Sequence, residues 1–342
     1  MRDGSAGDPN GNPTVYVTRQ IPDAGLELLE ESCDLHVWDG KLPPSKDHII
    51  ERLAELEADG LLCLLSDDVD GEVMDASPNL QVVSTFSVGY DHVDLDDAAD
   101  RGIAVGHTPG VLSETTADFA WSLLMTTARR TVEGQEYVLD GEWETWGPKL
   151  LTGPDVHHAT LGVIGLGNIG EAVARRAAGF EMEVLYSDVG PNEEAEADLE
   201  AAGVDVTYVD QNELLDRSDF VTLHVPLFES THHLIGEAEL RRMKEGAILI
   251  NTSRGPIVDT EALDTALEEG WIERAGLDVT DPEPLPADHE ILRHCPEKLV
   301  VTPHIASASI GTRNQMATMA AENLLAGMAG ESLPNSALED RS

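Results

Sequence analysis

Residues 160–170 read Thr160-Leu-Gly-Val-Ile-Gly-Leu-Gly-Asn-Ile-Gly170. Leu161, Val163 and Ile164 form the short apolar run of a strand buried on both faces of a parallel sheet. Gly165, Gly167 and Gly170 follow in Gly-x-Gly-x-x-Gly spacing, and Glu171 to Phe180 reads as a helix rich in Ala and Arg. Strand, glycine turn and helix together describe a dinucleotide site. Gly165 permits the tight turn, Gly167 lets backbone approach a pyrophosphate, and Gly170 lets the helix pack on the strand with its N-terminus toward the anion. A second apolar run, Val184 to Tyr186, leads to Asp188. An acid about 20 residues beyond the glycines is the expected acceptor of a ribose hydroxyl.

The rest of the chain supplies the sheets such a site needs. Strands are expected at Thr14–Thr18, Asp34–Trp38, Gly60–Leu65, Leu80–Phe86 and Ile103–Val105, with helices at Ala24–Ser32, Lys46–Glu57 and Val73–Ala76. Alternation of this kind implies a parallel sheet covered on both faces. Thr108-Pro109-Gly110 breaks the pattern. Ser113 to Arg130 then reads as one long helix, capped by Ser113 and apolar nearly all round from Phe119 to Met125, so buried on more than one side. It suits a position between domains or against a second subunit. From Thr160 strands recur at 160–165, 183–187, 205–208, 219–223, 247–251, 274–278 and 299–302. Ile310 to Gly327 reads as a helix, striped by Met316, Met319, Leu324 and Leu325, that returns to the first domain. The expected fold class is α/β, two doubly wound parallel-sheet domains. The expected boundaries are a disordered leader at 1–13, one domain from 14–110 and 307–336, and the dinucleotide domain at 111–306.

The chain has 342 residues, 41% of them hydrophobic, enough for two cores. No apolar run approaches a membrane span, and the N-terminus lacks a basic-then-apolar signal, so a cytoplasmic location is expected. The net charge is −44, from 65 acids against 21 Lys plus Arg. Nucleic acid, which needs a cationic footprint, is excluded as a partner. A folded chain this acidic repels itself at low ionic strength, and salt screens the repulsion, which points to a salt-accumulating cytoplasm. Cys33, Cys63 and Cys295 lack Cys-x-x-Cys spacing and are expected as buried reduced thiols. The pairs His157-His158 and His232-His233 lack ligand-spaced partners. No metal is expected.

Three residues stand at the carboxyl ends of late strands: Arg254, Glu283 and His304. Ligands of an open α/β sheet bind at such ends. Beside a nicotinamide, reduction of a 2-oxo acid needs a guanidinium fork for the carboxylate and ketone oxygen, a proton donor, and a carboxylate to hold that donor. Arg254, His304 and Glu283 fill those roles in that order. Taken alone, Glu283 is one more acid in an acidic chain. Ser84-Thr-Phe-Ser-Val-Gly-Tyr-Asp91 ends an earlier strand, and the amides of Val88 and Gly89 suit an anion. A substrate carboxylate held by those amides and by Arg254 would join the two domains.

These residues bring a resemblance into view. From about Val15 to Pro334 the chain resembles the D-isomer-specific 2-hydroxyacid dehydrogenases, most of all the glyoxylate and hydroxypyruvate reductase branch. The motifs are Ser87 to Asp91, Thr115-Thr-Ala-Asp118, Gly165 to Gly170, Ile248 to Gly255, Ala275-Gly-Leu-Asp-Val-Thr-Asp-Pro-Glu-Pro-Leu-Pro286, Thr302-Pro-His-Ile305 and Ala321 to Gly327. The resemblance implies a Rossmann nucleotide domain inserted in a flavodoxin-like substrate domain, and a homodimer through the 113–130 arm. It also implies a catalytic set of Arg254, Glu283 and His304, with hydride transfer giving the D-product. By motif position Asn168, Ile169, Thr116, Thr252, Ser253 and Asp278 contact the nucleotide, with Asp278 near the nicotinamide amide, while Val88 and Gly89 hold the carboxylate.

One departure concerns the cofactor. Several reductases of this branch carry a Gly-Arg or Ser-Arg pair, suited to a 2′-phosphate, where this chain has Asp188-Val189. Asp188 repels that phosphate and accepts from the hydroxyl, so NADH is expected over NADPH. The chain stops at Ser342, without the added regulatory domain of many phosphoglycerate dehydrogenases. The expected substrate is glyoxylate or hydroxypyruvate, with pyruvate, a longer 2-oxo acid or phosphohydroxypyruvate as alternatives and a dinucleotide-sensing corepressor as a different class. Leu65, Ser66, Trp143 and Trp146 are the expected pocket lining.

Overall fold

The computed structural model describes residues 11–339 and divides into two compact units. One runs to Leu112 and resumes at Ala308; the other is Ser113–Ser307. The expected leader falls largely on residues 1–10, outside the described residues.

The first unit is built from β1 (Thr14–Val17), α1 (Asp23–Glu30), β2 (Asp34–Val37), α2 (Lys46–Leu56), β3 (Gly60–Cys63), α3 (Gly71–Met74), β4 (Val82–Thr85), α4 (Leu95–Arg101) and β5 (Ala104–Gly106). Its sheet is parallel, in order β2-β1-β3-β4-β5, the flavodoxin-like order. Strands β1, β3 and β4 are buried along their whole length, as strands in the middle of a parallel sheet covered on both faces are. The short helix at 73–76 in the sequence reading starts earlier, at Gly71, because Asp70 accepts hydrogen bonds from the Glu72 and Val73 amides and caps it.

The second unit holds α5 (Ser113–Ala128), α6 (Thr131–Leu139), β6 (Thr160–Ile164), α7 (Asn168–Arg176), β7 (Glu183–Ser187), α8 (Glu193–Ala201), β8 (Val206–Tyr208), α9 (Gln211–Arg217), β9 (Phe220–Leu223), α10 (Glu237–Arg242), β10 (Ile248–Asn251), α11 (Thr260–Glu269), β11 (Arg274–Leu277) and β12 (Leu299–Val301). Its parallel sheet runs β12-β11-β10-β9-β6-β7-β8. The order reverses between β6 and β9, the crevice where ligands of a doubly wound sheet bind. The helix α12 (Ile310–Met328) belongs to the first unit and packs on α1, β3 and β4.

Several expectations need correction. Ser113 is the first helical residue of α5, not its cap, and the helix stops at Ala128. Arg130, in left-handed backbone, separates α5 from α6. The helix expected over 171–180 begins at Asn168 and tightens into a 3₁₀ turn from Ala177. Cys33 and Cys63 are buried, but Cys295 is half-buried. The apolar girth of α5 has its reason in Ala117, Ala120, Trp121, Leu123 and Leu124, all in the core of the second unit.

Candidate active site

The glycine turn joins β6 to α7. Gly165 has φ +92°, which a side chain would oppose, and a Cβ there would meet the His224 backbone at 2.8 Å. A Cβ on Gly170 would stand 2.0 Å from the Gly165 carbonyl oxygen, so α7 can close on the turn only with glycine at that position. Around Gly167 the situation is the reverse, with nothing of the protein within 4 Å of a Cβ. Gly167 is the N-cap of α7, and no side chain caps the helix. The first turn therefore presents its amides and the positive end of its dipole to open space, which suits a pyrophosphate.

Asp188 lies just beyond β7. Its Oδ2 accepts from the Leu166 amide at 2.8 Å and its Oδ1 from the Val189 amide at 2.7 Å. The carboxylate is thus fixed to the glycine turn 22 residues away. Asn192 braces the same turn, donating from Nδ2 to the Leu166 carbonyl at 2.9 Å.

The loop after β10 carries Arg254. Asn251 is fully buried and folds that loop: its Oδ1 accepts from the amide and hydroxyl of Ser253, and its Nδ2 donates to the Arg254 carbonyl at 2.8 Å. Gly255 follows because its neighbour leaves no room: a Cβ would lie 1.9 Å from the Thr280 carbonyl oxygen. The Arg254 guanidinium donates from Nη1 to the Ser253 carbonyl at 2.9 Å. Beside it, the Thr252 hydroxyl is buried and has no hydrogen-bond partner among the described residues. Thr116, on α5, is also buried.

His304 and Glu283 meet although 21 residues separate them: Nδ1 of His304 is 2.7 Å from Oε1 of Glu283. The second oxygen of Glu283 accepts from the Thr280 amide at 3.3 Å. Burial works to raise the Glu283 carboxyl. The hydrogen bond and charge of His304 outweigh it, with help from the Thr280 amide and Arg254, so the carboxyl lies below its usual value.

His304 itself has φ +55°, a left-handed conformation that costs a non-glycine residue on the order of 1 kcal/mol. Asp278 holds it there. Its Oδ1 accepts from the Thr302 hydroxyl at 2.6 Å and the Ile305 amide at 3.0 Å, its Oδ2 from the Ala306 amide at 2.7 Å, and its carbonyl from the His304 amide at 2.8 Å. The loop 302–306 is wrapped around one buried aspartate. Burial pushes that carboxyl above its usual value, more than these hydrogen bonds lower it.

Sequence reasoning passed over His224, which ends β9 beside the glycine turn. Its Nε2 is 2.9 Å from the Thr222 hydroxyl, and burial pushes the imidazole down to about 3. A ring held neutral is no proton source near neutral pH. In the first unit, Val88 and Gly89 follow β4, and their amides donate to no acceptor among the described residues. Of the expected pocket lining, Leu65, Trp143 and Trp146 carry large exposed surfaces.

A family model described as D-isomer specific 2-hydroxyacid dehydrogenase, NAD binding domain, matches residues 121–306. The chain belongs to the D-isomer specific 2-hydroxyacid dehydrogenases. It is an oxidoreductase acting on 2-hydroxy acids. Glyoxylate reductase of Korarchaeum cryptofilum is 52% identical over 324 residues, 94% of this chain and 95% of that one. Glyoxylate reductase of Thermofilum pendens is 48% identical with 94% and 93% covered. Among solved structures, a Thermus thermophilus protein superposes with a TM-score of 0.86 at 46% identity, covering 95% of this chain and 99% of its own. An NADPH-dependent glyoxylate/hydroxypyruvate reductase from Sinorhizobium meliloti, in complex with NADP and malonate, gives 0.82 at 32% identity, with 95% and 97% covered.

Proposed function

We propose that this dehydrogenase reduces glyoxylate, and hydroxypyruvate beside it, with NADH, and that His304 is the proton donor. The observation that carries the reading is the contact between His304 Nδ1 and Glu283 Oε1 in the unit that also bears the glycine turn and Arg254. The names of the similar reductases favour glyoxylate as the substrate.

Gly165, Gly167, Asn168, Ile169 and Gly170 receive the pyrophosphate, and Asp188 takes the ribose hydroxyl. The unpartnered hydroxyl of Thr252, with Ser253, Thr116 and Asp278, completes the nucleotide contacts. When bound, the reduced nicotinamide supplies the hydride. Arg254 pairs with the substrate carboxylate and polarises the carbonyl oxygen beside it. Val88 and Gly89, in the first unit, offer their amides to the carboxylate of the 2-oxo acid. The carbonyl oxygen gains negative charge as its carbon is reduced, and the His304 imidazolium gives its Nε2 proton to that oxygen. Neutral imidazole remains, with Glu283 accepting from its Nδ1–H and so fixing the tautomer ready for the next proton. His224, held neutral, takes no part in the transfer.

A negative charge at Asp188 disfavours a 2′-phosphate, which supports NADH over NADPH. A homodimer is supported by apolar surface on and after α6: Val138, Leu139, Trp143 and Trp146 are exposed, more than a monomer commonly leaves in one stretch. Among the described residues no helix is long and apolar enough to cross a membrane, and the charge of −44 supports a salt-rich cytoplasm without nucleic acid as partner.

The test is NADH oxidation with a panel of glyoxylate, hydroxypyruvate, pyruvate and phosphohydroxypyruvate, from low to multimolar KCl. Highest kcat/KM on glyoxylate or hydroxypyruvate in concentrated salt supports the reading. Preference for another acid overturns the substrate, and activity and melting temperature indifferent to salt overturn the salt adaptation.

A further inference from the structure

The turn assigned above to the substrate carboxylate is held from behind by groups that never face a ligand. A trans peptide is planar, so its C=O and N–H point in opposite directions. Fixing the carbonyl of one residue therefore aims the amide of the next. Three consecutive carbonyls are fixed here. That of Ser87 accepts from the Thr108 amide at 2.9 Å, that of Val88 faces His107 Nδ1 at 2.9 Å, and that of Gly89 accepts from the Ser87 hydroxyl at 2.6 Å. The first two set the directions of the Val88 and Gly89 amides.

His107 follows β5, the strand beside β4, and is only 3% exposed. A carbonyl can only accept, so Nδ1 carries the proton and donates. The residue is boxed in. Its own carbonyl accepts from Asn323 Nδ2 at 2.9 Å, Asn323 being fully buried on α12. Asn323 Oδ1 accepts from the Asn335 amide, and the Asn335 carbonyl accepts from the His107 amide at 3.2 Å. The Tyr90 ring stands edge-on, 5.4 Å between centroids.

The second path is directional. Ser87 spends its only proton on Gly89, so it accepts from the Thr85 hydroxyl 2.8 Å away. Thr85 then accepts from His92 Nε2 at 2.8 Å. Thr85 and Ser87 are both buried.

We propose that His107 is a positioning residue for substrate capture: its Nδ1–H holds the Val88 carbonyl and so aims the Gly89 amide at the carboxylate of the 2-oxo acid, while the His92–Thr85–Ser87 relay fixes the following peptide. This rests on the reading that Val88 and Gly89 take that carboxylate. The contribution is to binding, so it appears in the KM for the 2-oxo acid, not in kcat or in the KM for NADH.

The experiment compares wild type with His107→Phe, His107→Asn and His107→Gln. It pairs steady-state kinetics on glyoxylate with the amide NMR shift of Gly89 as oxamate, a carboxylate that is not reduced, is titrated into the NADH-saturated enzyme. In His107→Phe the KM for glyoxylate rises about tenfold, the loss of one well-placed hydrogen bond, with kcat and the KM for NADH kept. Asn places its Nδ2 where Nδ1 stood and restores the KM; Gln, one atom longer, does not. If the Phe variant does not fold, the contrast between Asn and Gln decides. An unchanged KM in Phe, or equal KM values in Asn and Gln, overturns the role of His107. A Gly89 amide that oxamate leaves unmoved in wild type overturns instead the assignment of the carboxylate site.

Discussion

The imidazole of His304 donates from Nδ1 to Oε1 of Glu283 at 2.7 Å, and Asp278 holds the loop 302–306 that carries His304 in its left-handed turn. The imidazole is therefore held on two sides: Glu283 accepts from its Nδ1, and Asp278 fixes its backbone.

Glu283→Gln keeps the shape and removes the charge. The kcat for glyoxylate falls roughly tenfold or more, part of the ~10²–10⁴ that a positioned acid supplies. Stability carries a second sign. A carboxyl held below its usual value stabilises the fold above its unfolded value and loses that contribution as pH falls through its folded value. The gap in melting temperature between wild type and Glu283→Gln is therefore full above about 4.5, the ordinary value, and closes on acidification. The gap is small, since the Glu283 side chain is 32% exposed. A gap that widens in acid contradicts the assignment.

Thr252→Val separates cofactor binding from stability. The hydroxyl is buried without a partner among the described residues, so its removal relieves an unmet group and leaves the melting temperature of the free enzyme equal or higher. The Kd for NADH rises several-fold, by about the worth of one hydrogen bond. Calorimetry of both forms checks the pair of outcomes; a lower melting temperature with unchanged Kd refutes it.

Gly255→Ala forces a Cβ to within 1.9 Å of the Thr280 carbonyl oxygen. Backbone must move, at a cost of about 1–3 kcal/mol, and the movement displaces Arg254 next to it. Thermal melting shows a clear loss, and the KM for the 2-oxo acid rises more than that for NADH. Wild-type stability would mean the two loops are not pressed together.

The sequence carried the frame further than the supports. Residues 161–164 read as a buried strand because every side chain there is apolar or absent, and β6 covers them within Thr160–Ile164. The strand-end positions of Arg254 and His304 were legible because each follows closely on an apolar run, whereas Glu283 by itself looked like one more acid in an acidic chain. The helix α6 was not, since none of its residues is buried and no apolar stripe marks it. Asp278 as the anchor of His304, Asn251 as the fold of the Arg254 loop, and His224 beside the glycine turn were equally hidden. Each depends on which strand ends lie side by side, and order in a parallel sheet is not order in the chain.

The proposal that Asp188 selects NADH by charge has a direct kinetic outcome. The kcat/KM with NADH exceeds that with NADPH, and Asp188→Ala narrows the ratio by raising the NADPH value. Screening weakens the discrimination in salt, so the ratio is largest at the lowest ionic strength the enzyme tolerates. A preference for NADPH in wild type would remove Asp188 from this role.

Steady-state turnover of His304→Ala on glyoxylate tests the account most directly. The expected result is a kcat reduced by about 10²–10⁴, with the Kd for NADH unchanged. Turnover near the wild-type value would contradict the assignment of His304 as the proton donor.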